Sequence, residues 1–253
     1  MNKYLRTSLL ALMAVPAFAQ EKAKPEDTEI YEPVPPVVSA LPGQIPSDAV
    51  VLFDGKNLDK WASSSDPSKA AAWPIADGAF TVDKKFGGIS TKQKFEDYQL
   101  HLEFKIPEGI HGEGQGRGNS GVFLASTGPG DEGYELQVLD SYNNKTYVNG
   151  QVGSIYKQAV PLANPSRPNG EWQVYDVLWT APRFEADGTL KSPAKVTVFL
   201  NGVVVQYDFV LKGLTQYIGQ PTYKAHGASP IRLQAHGDKS EPISFRNIWV
   251  RPL

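Results

Sequence analysis

Short strand-like segments that recur along the chain constrain its fold most strongly. From residue 49 onward they return about every 10 residues, with glycine, proline, asparagine or aspartate between them, as in strands joined by turns. Residues 98–106 alternate strictly, with apolar side chains at even positions and polar ones at odd positions. No stretch shows the sustained pattern of an amphipathic helix. The sequence therefore predicts an all-β fold, a two-sheet antiparallel β-sandwich or jelly roll.

Two local features refine this prediction. The dipeptide Asn201-Gly202 lies between two apolar runs and predicts a tight hairpin, because a type I′ turn needs a positive φ at both positions. The chain has no cysteine, which excludes disulfides, thiol catalysis and a lipid anchor on cysteine. Its stability must then come from a buried apolar core, which a chain of 253 residues can build.

The first 48 residues show no strand pattern and divide into two segments. Residues 1–19 carry two basic residues near the start, Lys3 and Arg6, followed by a short apolar stretch and a small-x-small cleavage site. This pattern predicts a cleaved bacterial signal peptide. Residues 20–48 are rich in proline and predict a linker. We therefore expect one domain over residues 49–253, in a periplasmic or secreted protein. No later apolar stretch is long enough for membrane insertion.

Charge and motifs exclude several classes of function. The net charge of −2 and the absence of a basic stripe argue against a nucleic-acid partner. The glycine-rich residues 111–121 lack the Lys-Ser/Thr pair of a phosphate-binding loop, although Arg117 and Asn119 at its end could hold an oxygen-rich ligand. No Gly-x-Ser-x-Gly nucleophile motif and no recognisable metal-binding spacing occurs, so any metal ligands stay unknown.

Residues 134–140 provide the first candidate site. The side chains of Glu135 and Gln137 share one strand face, because side chains alternate along a strand. A one-residue bulge after Val138 would bring Asp140 onto the same face. Two carboxylates on one face can hold different pKa values and divide the roles of acid and base. The same pattern also fits an ordinary solvated strand face.

Residues 231–238 provide the second candidate. Arg232, Gln234 and His236 share one face, and imidazole titrates near neutral pH, which suits a proton carrier. A histidine at a strand end can equally be plain polar surface. Aromatic residues near the predicted loops could stack on a sugar ring; they are Trp61, Trp73, Tyr142, Tyr147 and Tyr156. Lys157, next to Tyr156, is either a surface cation or an electrostatic clamp.

Several motifs together resemble a known family. They occupy, in order, residues 51–61, 118–124, 134–140, 153–156, 170–172, 200–202, 233–237 and 245–248. This order resembles the 3-keto-disaccharide hydrolase domain family, a concanavalin A-like jelly roll of the lectin/glucanase superfamily that is frequent in exported bacterial proteins. The resemblance covers residues 49–253 and implies a carbohydrate substrate, with a sugar 3-oxidoreductase acting upstream.

The family chemistry implies roles for the candidate residues. A ketone at C3 acidifies the hydrogen on C2, so that a base can remove it and the oxygen on C1 can leave. The resemblance suggests His236 or Glu135 as base and Asp140 or Glu135 at the leaving oxygen, with Arg117, Lys157 or a divalent cation at the enolate. The catalytic candidates are Glu135, Asp140 and His236, and the substrate-binding candidates are Arg117, Asn119, Gln137, Tyr156, Lys157 and Gln234.

Two other functions stay open. Jelly-roll glucanases carry Glu-x-Asp-x-x-Glu on one strand, and this chain has Glu135-x-Gln137-x-x-Asp140 there. Retaining hydrolysis needs carboxyl groups about 5–5.5 Å apart, which the shorter Asp140 puts in doubt. The same fold also makes non-catalytic carbohydrate-binding modules, because a fold does not settle a function.

Overall fold

The computed structural model describes residues 22–253, so the signal peptide predicted over residues 1–19 lies outside the described residues. Contacts divide the chain into two compact units, Met1–Val37 and Val38–Leu253. In the first unit, residues 22–37 hold one 3-10 helix, Pro25–Thr28, and expose every side chain. The second unit begins inside the predicted linker and contains all the strands described below.

The second unit is built from antiparallel strands in two large sheets and one small hairpin, which confirms the predicted all-β sandwich. The eight-stranded sheet contains β1 (Val50–Phe53), β3 (Ile75–Ala76), β4 (Ala79–Thr81), β6 (Tyr98–Lys105), β9 (Trp172–Thr180), β12 (Lys195–Leu200), β13 (Val203–Val210) and β15 (Ser244–Pro252). The five-stranded sheet contains β2 (Trp61–Ser63), β5 (Ile89–Thr91), β7 (Asn119–Ser126), β8 (Gly133–Leu139) and β14 (Arg232–Leu233). The separate hairpin pairs β10 (Arg183–Phe184) with β11 (Leu190–Ser192).

The two large sheets differ in strand order. In the eight-stranded sheet the path runs β13-β12-β9-β6-β15-β4-β3, and β1 pairs with β15. In the five-stranded sheet the order is β2-β5-β14-β7-β8. Within residues 22–253 the other helices are three single 3-10 turns, at Lys84–Phe86, Gly114–Gly116 and Val148–Gly150. No helix in this range is long and apolar enough to cross a membrane.

The core forms between the apolar faces of the sheets. Strand β6 buries its even positions and leaves its odd positions half-buried, as its alternation predicts. Trp61 and Trp73, which we considered for sugar stacking, instead belong to this core. Their indole N–H groups donate to the carbonyls of Leu52 and Gly87, both at 2.9 Å, which satisfies the polar atom of each ring.

The hairpin predicted at Asn201-Gly202 is confirmed. The two residues join β12 to β13 with φ values of 53° and 80°. A positive φ at both central positions is what a type I′ turn requires, and its twist matches that of the flanking strands.

The predicted bulge after Val138 is wrong. Strands β7 and β8 pair in unbroken register from Asn119 opposite Leu139 to Phe123 opposite Glu135, and the irregularity lies between Phe123 and Ser126. The backbone N–H of Asp140 donates to Gly118 at 3.1 Å, which continues the regular ladder. Asp140 therefore keeps the alternation of Val138 and turns away from the face that carries Glu135.

Candidate active site

A cavity of about 180 Å³ lies over the face of β7 and β8 that points away from the core. It is lined by Asn119, Asp131, Glu135, Gln137, Tyr156, Thr215, Tyr217, Gln234 and His236. Strand β8 is buried along its whole length, because loops cover the face that we expected to be open. Side chains on this face are therefore held in a partly dry environment, where their electrostatic interactions are stronger than in water.

Glu135 is the buried carboxyl group of this cavity. Its side chain packs against the backbone of Gly121, where an added Cβ would come within 2.5 Å of Oε1. Burial and, to a lesser extent, the charge of Asp131 raise the pKa of Glu135 to about 8, although Arg232 acts in the opposite direction. At neutral pH Glu135 therefore holds its proton and can donate it.

Asp131 lies in the turn between β7 and β8. It contacts one side chain of β14 and one side chain just after that strand. Its carboxylate accepts hydrogen bonds from Arg232 at 2.7 Å and from Gln234 at 2.8 Å. Arg232 is itself almost fully buried and lies over the ring of Phe123. Asp131 therefore neutralises a buried guanidinium and, in the same position, adds negative potential near Glu135.

His236 is paired with a buried carboxylate. Its Nδ1 lies 3.0 Å from Oδ2 of Asp238, and the other oxygen of Asp238 accepts from Lys84 Nζ at 3.1 Å and from the Ser240 N–H at 2.8 Å. Burial alone would raise the pKa of Asp238, but these hydrogen bonds from His236, Ser240 and Lys84 hold it well below its usual range.

The ionised Asp238 fixes the tautomer of His236. The backbone N–H of Asp238 also approaches Nδ1, at 3.2 Å, but a charged carboxylate is the stronger partner, so we assign the proton to Nδ1. The lone pair of Nε2 is then left for proton transfer, and Nε2 has no hydrogen-bond partner among residues 22–253.

Two amide side chains in the cavity lining have unused acceptors. Gln137 donates through Nε2 to Gln115 at 3.1 Å and to the Gly150 carbonyl at 3.2 Å. Gln234 donates through Nε2 to Asp131. The Oε1 atoms of Gln137 and Gln234 are buried and accept no hydrogen bond from the described part of the chain. A buried acceptor without a partner costs about 1–3 kcal/mol, so a ligand hydroxyl that reached either atom would offset this cost.

Hydroxyl groups complete the lining. Thr215 Oγ1 accepts the backbone N–H of Glu135 at 3.0 Å, which leaves its own hydrogen for another acceptor. Tyr156 and Tyr147 share a hydrogen bond of 2.6 Å between their hydroxyl oxygens. Burial, together with that bond, raises the pKa of Tyr156, so its hydroxyl stays neutral. Asn119 donates to the carbonyl of Gln115 at 2.9 Å.

Three predicted site residues do not line the cavity. Asp140 is buried in an ion pair with Arg117, 2.7 Å between Nε and Oδ2, and also accepts from Asn169 at 3.0 Å. Arg117 donates to the Tyr142 carbonyl at 2.9 Å as well. Lys157 donates through Nζ to the Tyr217 carbonyl at 2.6 Å. None of the three side chains lines the cavity, so we withdraw the placement of Asp140, Arg117 and Lys157 in it.

The other six predicted residues do meet in one place. They are Asn119, Glu135, Gln137, Tyr156, Gln234 and His236. Sequence reasoning missed Asp131, Thr215, Tyr217 and Asp238. The position of Asp238, two residues after His236, was a usable signal, because a carboxylate there can orient the imidazole. The other three lie in turns whose residues carry no local pattern.

The described residues do not offer a recognisable metal site. Between residues 22 and 253, no group of three or more histidine or carboxylate side chains is placed to hold a metal ion. The divalent cation considered from the resemblance therefore finds no such ligand set there, and we assign it no step.

An antiparallel sandwich with a polar cavity on one sheet face is the architecture of concanavalin-like proteins. The sequence of residues 48–251 matches the model of the 3-keto-α-glucoside-1,2-lyase-like domain, and the chain belongs to that family. This confirms the resemblance found in the sequence. None of the curated proteins with which the sequence was compared matches it.

Two solved structures from Parabacteroides distasonis ATCC 8503, each described as a "putative glycosyl hydrolase", are similar to this chain. One is 55% identical, with 91% of this chain and 97% of that chain covered and a TM-score of 0.84. The other is 24% identical, with 81% and 99% covered and a TM-score of 0.57, which shows the fold alone. The family and the first structure support a carbohydrate-active enzyme.

Proposed function

We propose that this protein cleaves the glycosidic bond of 3-keto-glucosides or 3-keto-disaccharides by β-elimination. The observation that carries the proposal is the pairing of two proton carriers in one cavity. Glu135 is a buried carboxyl group that keeps its proton at neutral pH, and His236 is an imidazole oriented by an ionised carboxylate. An elimination needs one group of each kind, a base at C2 and an acid at the leaving oxygen.

His236 is the base in this mechanism. Its Nε2 takes the hydrogen of C2, which the neighbouring C3 ketone makes acidic, and the electron pair of that C–H bond forms the enolate. Asp238 stabilises the imidazolium that results, because its carboxylate is held ionised against Nδ1. The Thr215 hydroxyl is a neutral donor available at the enolate oxygen, because it accepts the Glu135 N–H and keeps its own hydrogen.

Glu135 is the acid. The enolate electrons return to form the C1–C2 double bond, the C1–O bond breaks, and its oxygen takes the proton of Glu135. The products are a free alcohol and an enone sugar, to which water then adds at C1. Solvent afterwards takes the proton from His236 and returns one to Glu135, which restores both groups. The free Oε1 atoms of Gln137 and Gln234 would meanwhile accept sugar hydroxyl groups.

The proposal implies a reaction before this one and a location for it. An oxidoreductase must convert the C3 hydroxyl of a glucoside to the ketone, since nothing in the cavity removes a hydride. A periplasmic or secreted location rests on the signal-peptide pattern of residues 1–19.

The deciding experiment compares trehalose with its 3-keto derivative, each with and without EDTA, using purified protein. Cleavage of the keto sugar alone, with transient ultraviolet absorption from the enone, supports the elimination. Cleavage of plain trehalose would overturn it in favour of ordinary glycoside hydrolysis. Calorimetric binding with no cleavage of either sugar would leave a carbohydrate-binding module. Sensitivity to EDTA would contradict the metal-free assignment of the steps.

A further inference from the structure

One edge of the cavity carries exposed apolar side chains, which we call the aromatic rim: Tyr147, Val148, Tyr217 and Ile218. Tyr217 lines the cavity and is 70% exposed, and Ile218 is 81% exposed. Tyr147 and Val148 are also exposed, and Tyr147 reaches the cavity lining through its hydrogen bond to Tyr156. Exposed apolar groups gathered beside a polar cavity are typical of a binding surface.

Lys157 fixes the two loops of the rim. Its backbone has a φ of 59°, a left-handed conformation that a lysine rarely adopts. Its Nζ donates to the Tyr217 carbonyl and lies 4.2 Å from the centre of the Tyr217 ring and 5.7 Å from that of Tyr147. A cation shared between two rings holds both in place without covering their outer faces. The rim is therefore a preformed surface.

The rim and the cavity floor differ in chemistry. On the floor, the Oε1 atoms of Gln137 and Gln234 lack partners and suit the hydroxyls of a sugar. On the rim, the Tyr147 hydroxyl is already paired with Tyr156, and the Lys157 amine with a carbonyl. Exposed ring and aliphatic surface remains there, which suits a flat apolar group better than a second sugar dense in hydroxyls.

We infer that the aromatic rim is the aglycone subsite, and that the preferred substrates are 3-keto-glucosides of aromatic alcohols. Glu135 would protonate the leaving oxygen. Its carbonyl accepts the Tyr156 N–H at 3.1 Å, and its own N–H donates to Thr215, two residues before Tyr217, so the departing group lies beside the rim. A phenol is also a much stronger acid than an alkyl alcohol and leaves more readily. This inference rests on the proposed elimination and names its substrate class.

The test uses the selectivity ratio, which is kcat/KM for phenyl 3-keto-glucoside divided by kcat/KM for methyl 3-keto-glucoside of the same anomer. We expect Tyr217→Ala to lower this ratio about three- to tenfold, the value of one ring contact, mainly through KM. The substitution keeps the carbonyl that anchors Lys157. Ile218→Ala should lower the ratio less. The matched control is Tyr207→Ala, an equally exposed tyrosine on β13 of the other sheet, which should leave the ratio unchanged.

Each result decides the inference. An unchanged ratio in Tyr217→Ala, or faster turnover of 3-keto-trehalose than of the phenyl compound, would overturn the aromatic aglycone. If the protein cleaves no 3-keto-glucoside, the proposed function fails. The binding of unoxidised phenyl and methyl glucosides then tests by itself whether the rim binds an aromatic aglycone. Tighter calorimetric binding of the phenyl compound, lost in Tyr217→Ala, would support the rim even then, and equal binding would reject it.

Discussion

At the scale of single residues, the roles of Glu135 and His236 follow from what surrounds each one. Glu135 has little water and a negative neighbour in Asp131, so its neutral form is favoured. His236 has an ionised carboxylate behind it, so its imidazolium form is stabilised when it accepts a proton. The environment of Glu135 could not be inferred from the sequence, because it depends on burial and on loop residues, whereas Asp238, two residues after His236, was a usable signal.

We predict that Glu135→Gln lowers kcat about 10²- to 10⁴-fold with methyl 3-keto-glucoside, since an amide cannot replace a general acid. In the unmodified protein, kcat should fall as the pH rises through about 8, where Glu135 loses its proton. The pH profile of kcat measures both effects. Glu96→Gln, the same change on an exposed residue, is the control. A profile that stays flat between pH 6 and 9 would reject Glu135 as the acid.

We predict that Asp238→Asn lowers kcat about 10²-fold or more with little change in KM, because an amide can hold the wrong tautomer of His236. Nitrogen NMR of the imidazole would show the tautomer directly. Asp187→Asn, on an exposed turn, controls for loss of charge. Since Asp238 also contacts Lys84 and Ser240, the melting temperature must accompany the kinetics. Unchanged kcat in a folded variant would remove Asp238 from the mechanism.

At the scale of elements, the pairing of β7 with β8 determines where the acid sits. Gly121 lies opposite Gln137 and diagonal to Glu135, and it lets the carboxyl group lie flat on the neighbouring strand. A side chain at this position would occupy the space of Oε1. A glycine inside a strand often marks a close approach of this kind.

We predict that Gly121→Ala reduces activity about tenfold or more and costs about 1–3 kcal/mol of stability, because its Cβ would meet Glu135 at 2.5 Å. Activity and urea unfolding measure the two effects. Gly227→Ala is the matched control, since a Cβ there meets nothing within 4 Å and its φ is not left-handed. Equal behaviour of the two variants would show that Glu135 does not depend on this contact.

Elements differ in how far the sequence predicts them. Strand β6 and the Asn201-Gly202 hairpin were predictable, because alternation and turn chemistry are local. The regular register at Val138 was not predictable, because register depends on the partner strand β7. The pairing of Asp140 with Arg117 follows from that register. Asp131 and Tyr217 reach the cavity only through tertiary folding, so no local sequence pattern predicts that they line it.

At the scale of the whole molecule, two groups on different sheets, one buried and one half-buried, make stability depend on pH in the same direction. Glu135 lies on the five-stranded sheet. His101 lies on β6 of the other sheet, stacked on Trp249. Burial would lower the pKa of His101, but hydrogen bonds and charges from Asp176 and Glu103 raise it to about 9. Both groups therefore bind protons more tightly in the folded chain than in the unfolded one.

We predict that the free energy of unfolding falls as the pH rises from 5 to 9. The pKa of Glu135 is 4.5 in the unfolded chain and about 8 in the folded one, so its contribution to the free energy of unfolding is lost between these pH values. The contribution of His101 to the free energy of unfolding is fully present below pH 6.5 and is lost as the pH rises through about 9. Each pKa unit corresponds to about 1.36 kcal/mol, so the two pKa changes together set an upper bound of about 8 kcal/mol on the combined loss.

Urea unfolding at pH 5, 7 and 9 separates the two contributions. Glu135→Gln should remove most of the loss between pH 5 and 7 and reduce the loss between pH 7 and 9, because glutamine does not titrate. His101→Gln should reduce only the loss between pH 7 and 9 and leave the loss between pH 5 and 7 nearly intact. Lys105→Gln, on the same strand, is the control and should keep the full dependence. Stability that is constant or rises from pH 5 to 9 in the unmodified protein would contradict the neutral, buried state of Glu135 on which the proposed acid depends.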